Sequence, residues 1–412
     1  MDGARTRGQP AAVSAVAAMI RGRPPHAVLL VGPPGVGKTT LALDLAAGLL
    51  CTDPAVADRP CRACRACRLV EHGNHPDLHR LGPEGPGRQI LIGRGSGEAR
   101  GIRDLIADLA LLPVEGGARV AIVEHAERMN EDAQSALLKT LEEPPSGVTI
   151  VLCSDDEDLL LPTVRSRCAR IRLGPVASRE VEAILVERAG VDAPTAARAA
   201  RLGAGRPGLA LAYARSPEAL AIRGELVRGL LDLVPARSAV RLAAARQMVP
   251  RAAELAELLE RPPADDREAG AAPGRRSGRG RSTATPAPAV ATAPARSAES
   301  DGDATADGPA DPVADPRAPA TERRRAVATL ASLWSELTRD AALVAAGDRR
   351  AIHDPALLEE LDDATAVVAA DRWPVFLGRL IRAGELLESN VSPELVLDSL
   401  VLAWARPVAT HR

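Results

Sequence analysis

GPPGVGKT, at residues 32–39, is the stretch that decides the fold of this chain. It follows an aliphatic run at residues 27–31, which predicts a buried strand, and it precedes a helical pattern over residues 39–50. A strand, this glycine-rich loop and a helix together match the Walker A pattern. Glycines let the backbone wrap phosphates with its N–H groups, and the following helix N-terminus favours negative charge. The stretch therefore predicts an α/β domain with a phosphate-binding loop on a parallel sheet.

The loop predicts a bound nucleotide, either ATP or ADP with Mg²⁺. We expect the Lys38 ammonium to reach the terminal phosphates and the Thr39 hydroxyl to ligate magnesium. The candidate contact residues from this stretch are Gly32, Pro33, Pro34, Gly35, Val36, Gly37, Lys38, Thr39 and Thr40.

A second aliphatic strand pattern ends in Glu124 and His125. Hydrolysis of a nucleotide normally needs an acidic residue near the metal and a residue that orients the attacking water. Glu124 is expected to reach toward the metal, but a neutral imidazole at His125 replaces the activating carboxylate poorly. The sequence thus predicts nucleotide binding with weak or absent intrinsic ATPase activity.

Four cysteines are spaced with nine, two and two residues between them, which lets four thiolates converge on one ion. Zinc in a structural site is the preferred interpretation. The Cys-x-x-Cys-x-x-Cys run also resembles an iron–sulfur ligand loop, although the further Cys-Pro of that pattern is missing. The candidate metal ligands are Cys51, Cys61, Cys64 and Cys67, with His72, His75 and His79 as possible substitutes.

A chain of 412 residues is long enough for two or three domains. Alternating strand and helix patterns predict an α/β P-loop domain, followed by a small helical lid and further helices. A segment rich in Ala, Pro, Gly and Ser separates two helical regions and predicts a disordered linker, although its arginines leave a DNA or partner contact open. The boundaries are 1–175 with the zinc module at 51–67, 176–216 for the lid, 217–261 and 320–412 for the later helices, and 262–319 for the linker.

The last helices have few large side chains to anchor them. Trp334, Trp373 and Phe376 are the expected anchors. Ser392 followed by Pro393 predicts a capped start for the last helix.

The net charge of −2 predicts no general attraction to nucleic acid or to an anionic membrane. No apolar run approaches the roughly 20 residues that cross a bilayer, and the N-terminus has no signal-peptide pattern. We therefore expect a cytoplasmic protein without a membrane partner.

Several motifs together resemble the clamp-loader subunits of bacterial DNA polymerase III. They are the Walker A loop, the four-cysteine insert, GNHPD at 73–77, ALLKTLEEPP at 136–145 and SRC at 166–168. The similarity runs from the N-terminus to about residue 214 and resumes at NVSPE, residues 390–394. The resemblance implies an AAA+ type of P-loop domain, and it makes the C-terminal helices a collar that joins subunits in a ring.

The family has two close branches, the ATP-hydrolysing gamma or tau subunit and the delta-prime subunit. Motor subunits carry an Asp-Glu pair where this chain has Glu124 and His125, which favours delta-prime. The intact phosphate loop departs from the degraded loop of well-known delta-prime subunits. A retained nucleotide is then expected to be a structural ligand, and the gamma/tau subunit is the alternative.

The resemblance implies roles for three further residues. Arg167 matches the arginine finger that is presented to the ATP of a neighbouring subunit. Ser154 and Arg206 match two sensor positions of the nucleotide site.

The implied partners are gamma/tau and delta subunits in a hetero-pentameric ring, the sliding clamp, and primed DNA through the complex. An unrelated P-loop enzyme such as a nucleotide kinase is a rival hypothesis, but it leaves the SRC element at 166–168 unexplained.

Overall fold

The computed structural model describes residues 3–83, 89–93, 100–115, 117–260, 319–389 and 391–405. The predicted linker at 262–319 therefore lies outside the described residues, apart from Pro319 at its end. Asn390, which begins the last family motif, also lies outside them.

The sheet has five parallel strands in the order β2-β3-β4-β1-β5. The strands predicted around residues 27–31, 118–124 and 148–153 are confirmed as β1, β3 and β4. Both edge strands escaped prediction because each has only four residues and includes charged or polar side chains, so neither forms an aliphatic run. The strands are β1 (Ala27–Val31), β2 (Leu78–Leu81), β3 (Arg119–Val123), β4 (Val148–Ser154) and β5 (Ala169–Arg172).

Helices cover both faces of this sheet, as its apolar side chains require. One face packs against α1, α2 and α3, and the other packs against α4, α5 and α6. Successive strand residues alternate between these two cores, so that Leu30 contacts one and Leu29 the other. The helices are α1 (Pro10–Arg21), α2 (Lys38–Leu50), α3 (Arg65–Glu71), α4 (Ile102–Leu109), α5 (Glu131–Glu142) and α6 (Pro162–Arg165).

Helices alone follow the last strand in the part of the chain that the structure describes. One cluster of buried apolar side chains runs from Val176 to Ala405, so the predicted lid and the later helices share a hydrophobic core. The helices are α7 (Ser178–Ala189), α8 (Ala193–Gly203), α9 (Pro207–Arg215), α10 (Pro217–Asp232), α11 (Ser238–Glu260), α12 (Ala320–Ala345), α13 (Leu358–Val367), α14 (Arg372–Glu388) and α15 (Pro393–Ala403).

Trp404 is the centre of an aromatic cluster in this core. Its ring centroid lies 5.1 Å from that of Trp334, 5.7 Å from Trp373 and 4.7 Å from Phe376. Its indole N–H donates to the carbonyl of Leu230. The three predicted anchors are thus correct, but the list lacked the residue that joins them.

The two ends of α15 are held in different ways. The buried guanidinium of Arg241 donates to the carbonyls of Trp404 and Ala405. The predicted side-chain cap at Ser392 is wrong, because its hydroxyl bonds the Glu394 carboxylate at 2.6 Å and caps no backbone N–H. The helix starts at Pro393 as its fixed φ allows.

None of the helices among the described residues is both long enough and apolar enough to cross a membrane.

Replacing Trp404 with alanine should lower the free energy of unfolding by about 3–5 kcal/mol, because the side chain is 1% exposed and leaves a large cavity. Urea denaturation followed by circular dichroism measures the change. Leu395→Ala on α15, the helix that Trp404 directly follows, is the control, since Leu395 is 66% exposed and its loss should matter little. Equal destabilisation by both variants would contradict this account of the core.

Candidate nucleotide site

The phosphate loop lies between β1 and α2, at the carboxyl edge of the sheet. Gly35 and Gly37 have φ values of 79° and 103°, a region that L side chains rarely adopt. A side chain at Gly32 would meet the carbonyl oxygen of Leu173 at 2.3 Å. The glycines are therefore required by this loop conformation, which leads into the N-terminus of α2 where phosphate groups are favoured.

A cleft of about 260 Å³ opens above this loop. Its other walls come from the N-terminal segment, from α7 and from the start of α9. The Gly208 N–H donates to the Gly35 carbonyl at 2.9 Å and joins α9 to the phosphate loop. The lining residues outside the loop include Arg5, Thr6, Arg7, His125, Cys153, Asp155, Ile184, Arg188, Pro207, Gly208 and Leu211.

Lys38 is buried at the base of the cleft. Its ammonium donates to the carbonyls of Gly32 and Pro33 at 2.6 and 2.9 Å, and to Asp155 at 2.5 Å. Burial would raise the pKa of Asp155, but hydrogen bonds from His125 and Lys38 outweigh it and lower that pKa. The carboxylate is thus held ionised beside the lysine.

His125 lies next to this pair in a left-handed backbone conformation with φ of 52°. Its Nδ1 lies 3.6 Å from Asp155 and 3.2 Å from Glu127. Hydrogen bonds to these two carboxylates raise the pKa of His125 to about 9. The expectation of a neutral imidazole is therefore wrong: at neutral pH the ring is a cation, which is even less able to accept a proton from water.

Glu124, expected to reach the metal, pairs with a residue of β2 instead. Its carboxylate accepts from the Arg80 guanidinium at 2.9 and 2.6 Å. Glu124 is also not among the residues that line the cleft. Asp155 is the one carboxylate among the described lining residues, and it is already paired with the Lys38 ammonium.

The structure brings residues 34–40 of the predicted set together in the cleft. The backbone of Gly32 and Pro33 lies behind them and binds Lys38. Ser154 and Arg206 do not line the cleft. The Ser154 hydroxyl donates to the Asp156 carbonyl at 2.7 Å, and Arg206 pairs with Glu336 of α12 at 2.9 Å.

Sequence reasoning missed several residues that line the cleft. Asp155 directly follows β4, and a polar residue at the carboxyl end of a parallel strand is a signal that was available. Arg188 on α7 carried no such signal, because an arginine in an amphipathic helix is ordinarily solvent-facing. The N-terminal residues Arg5 to Arg7 lie before α1 in no regular element, so no motif or periodicity pointed to them.

The four predicted cysteines converge at the end of α2 and the start of α3. Their sulfur atoms all lie within 4.8 Å of one another, with Cys51 3.5 Å from Cys61 and 3.9 Å from Cys64. Tetrahedral zinc thiolate sites have sulfur atoms about 3.8 Å apart, given Zn–S bonds of about 2.3 Å. The donor set therefore fits a tetrahedral metal.

One thiol of this cluster is set up to ionise. Burial alone would raise the pKa of Cys64, but hydrogen bonds from the backbone of Cys67 and Thr52 lower it to about 6. Thiolate is the form that ligates metals. The three alternative histidines lie outside the cluster, and His75 accepts instead from the Asp77 N–H at 3.1 Å.

Arg167 lies after α6, away from the lining of its own cleft. Its guanidinium donates to the Thr163 carbonyl at 2.9 Å and to Glu142 at 2.6 Å. Glu142 belongs to the ALLKTLEEPP stretch, so two of the family motifs meet here. The arginine is one third exposed, with its position fixed by these contacts.

Fold and cleft together define a P-loop protein built on a five-stranded parallel α/β sheet. Residues 8–177 match the family model described as DNA polymerase III, delta subunit. The delta-prime subunit of DNA polymerase III from Pseudomonas aeruginosa is 40% identical over 145 residues, covering 35% of this chain and 42% of that protein. The Escherichia coli delta-prime subunit is 35% identical over 197 residues, covering 48% and 57%.

These matches confirm the resemblance to delta-prime subunits and favour it over gamma and tau, which are also matched. The chain spans about half the length of the curated relatives that it matches. A gamma-subunit-related protein from Thermotoga maritima aligns with 60% of this chain and 82% of its own, at 21% identity and a TM-score of 0.34.

The charge on His125 predicts a pH dependence of stability. Its pKa of about 9 lies above the ordinary value of 6.5, so its contribution is fully present below about pH 6.5 and is lost as pH rises through about 9. Urea midpoints of wild type and His125→Asn, measured at about pH 6 and about pH 9.5, should differ more at the lower pH. A constant difference would show that the ring is not charged.

Proposed function

We propose that this chain works as the delta-prime subunit of the DNA polymerase III clamp loader and helps to load the sliding clamp onto primed DNA. The observation that carries the proposal is that the α/β domain has a cleft poorly equipped for hydrolysis and an arginine held outside that cleft. The chain's own cleft has a lysine and a protonated histidine but no uncommitted carboxylate among its described lining residues. Arg167, in contrast, is held outside that cleft.

The cleft is suited to binding a nucleotide. Residues 32–40 would hold the phosphates, with Lys38 leaving Asp155 to meet them and Thr39 offering its hydroxyl to Mg²⁺. Bound Mg²⁺ would neutralise phosphate charge. Ser154 and Arg206 would join the site only if their present contacts with Asp156 and Glu336 rearranged.

Turnover in this cleft is expected to be weak. Hydrolysis needs a residue that orients the attacking water and accepts its proton. A protonated His125 has no free nitrogen lone pair and cannot accept that proton. Glu124 is engaged by Arg80. Bound nucleotide would therefore be a structural ligand of the subunit, and the cleft could hold either ATP or ADP.

Arg167 would act on the ATP of a neighbouring subunit. A guanidinium carries a fixed charge and a planar fork of donors, which suits the charge that develops on a transferred phosphoryl group. The contacts with Glu142 and Thr163 hold the arginine at the surface of the α/β domain. Glu142 would have to be exchanged for phosphate when the neighbour is engaged.

The partners follow from this role. They are gamma/tau and delta subunits in a hetero-pentameric ring, the sliding clamp, and primed DNA reached through the complex. In this AAA+ arrangement α7 to α9 form the lid, and α10 to α15 form the collar that joins the ring. A cytoplasmic location, where replication takes place, is part of the same proposal.

Arg167→Ala should lower the ATPase rate of the assembled complex by at least about tenfold, since an arginine finger contributes about 10³-fold or more at the site it serves. The measurement is DNA-stimulated phosphate release by the complex with its gamma/tau and delta subunits. Arg170→Ala is the matched control, because Arg170 is a surface arginine three residues away that pairs with Glu157 instead of Glu142. Normal turnover in an assembled Arg167→Ala complex would overturn the assignment.

The second candidate is the gamma/tau motor subunit, favoured by the intact phosphate loop and by the matches to gamma and tau. It predicts rapid Mg²⁺-dependent hydrolysis by the chain itself, stimulated by primed DNA.

The four cysteines would hold one structural zinc ion, leaving no position for a catalytic water. Purified chain should contain one zinc, and a zinc chelator should lower the melting temperature by at least about 5 °C, because metal binding is coupled to folding. Cys61→Ser should lose the ion. Cys168→Ser, outside the cluster, should retain it. Full zinc content in Cys61→Ser would contradict the assigned ligand set.

A further inference from the structure

The N-terminal segment, residues 3–7, contacts both the nucleotide cleft and the four-cysteine module (residues 51–67), which are also joined through α2. Arg5, Thr6 and Arg7 line the nucleotide cleft opposite the phosphate loop. The same short segment contacts the four-cysteine module on its other side. Whatever fixes these five residues therefore fixes one wall of the cleft.

Asp44 of α2 binds this segment through hydrogen bonds to its carboxylate. Its side chain is 1% exposed, and its carboxylate accepts from the backbone N–H of Arg5 at 3.1 Å and of Thr6 at 2.9 Å. The Thr6 hydroxyl donates to it at 2.7 Å. A buried carboxylate is stable only when it is paired and hydrogen-bonded, so Asp44 and the segment require each other.

Arg62 supplies the positive charge that completes this arrangement. Its guanidinium pairs with Asp44, and its Nε donates to the Gly3 carbonyl at 2.8 Å. It also lies 3.5 Å from Glu71 at the end of α3, which in turn pairs with Arg5 at 3.0 Å. One arginine thus bonds both the buried acid and the backbone of the segment.

The position of Arg62 depends on the cysteines around it. The residue follows Cys61, precedes Cys64 by two, and has a left-handed φ of 58°. A non-glycine residue keeps this uncommon conformation only where its surroundings impose it. The Cys64 N–H approaches the Cys61 sulfur at 3.4 Å, so both ligands on this loop converge while the arginine points the other way, toward Asp44.

We propose that Arg62 and Asp44 are positioning residues through which the four-cysteine module fixes the N-terminal wall of the nucleotide cleft. Metal in the module and nucleotide in the cleft then strengthen each other's binding. This inference rests on the nucleotide binding proposed above. By thermodynamic linkage, the factor by which metal strengthens nucleotide binding equals the factor by which nucleotide strengthens metal binding.

The test measures binding of a fluorescent ADP analogue to the full-length chain, with zinc and after chelation. Chelation should weaken binding to wild type by at least about fivefold, the lower range of typical coupling between sites. Arg62→Ala should weaken it similarly, and chelation should then add little, because both changes remove one connection. Asp44→Asn should behave like Arg62→Ala.

Arg68→Ala is the matched control, an exposed arginine on α3 next to Cys67, and it should bind like wild type. Arg62→Lys keeps the charge but cannot make all three contacts, so its affinity should lie between wild type and Arg62→Ala. It also serves if the alanine variant fails to fold. Equal effects of chelation in wild type and Arg62→Ala would overturn the inference.

Hydrogen exchange gives a second readout that needs no nucleotide. Peptides that contain the amides of Arg5 and Thr6 should exchange faster after chelation and in Arg62→Ala, while peptides of β1 and β4 keep their protection. If wild type binds no nucleotide but this pattern appears, the proposed nucleotide role fails and the structural connection stands. Unchanged exchange of the N-terminal peptides would refute the connection itself.

Discussion

The carboxylate of Asp155 is the group on which the charge arrangement of the cleft depends. It accepts from Lys38 at 2.5 Å and lies 3.6 Å from Nδ1 of His125. In this position it pairs with the phosphate-loop lysine, which stays a cation, and, with Glu127, it keeps the histidine protonated. The cleft thereby gains cations suited to phosphates, while its one lining carboxylate among the described residues is already committed. Binding is favoured and proton abstraction from water is not.

Around this cleft, the same α/β domain supports two further sites. The four cysteines lie at the C-terminal end of α2, the helix whose N-terminus follows the phosphate loop. Asp44 of the same helix accepts hydrogen bonds from the N-terminal segment. Arg167 and Glu142 place a guanidinium on the surface away from the cleft. The same sheet thus positions the phosphate loop, the four cysteines and Arg167 in one domain.

Much of this was predictable from sequence because it depends on local patterns. The phosphate loop, the cysteine spacing and the three aliphatic strands each have a spacing that one physical requirement imposes. Edge strands β2 and β5 were missed because four residues that include charged or polar side chains form no aliphatic run. The central role of Trp404 was missed because it depends on contacts with three other helices, and such contacts leave no periodic signal along the chain.

The protonation of His125 could not be predicted from the sequence, because it also depends on contacts between distant parts of the chain. Only the fold brings Glu127 and Asp155 to the same ring, and those carboxylates reverse the expected charge. The most direct measurement of the central claim is phosphate release by the isolated chain with saturating Mg-ATP. The account predicts tight binding with turnover of about 10⁻³ per second or slower, the range of P-loop proteins that lack a complete catalytic set. Turnover near about 1 per second that disappears in Lys38→Ala would contradict it.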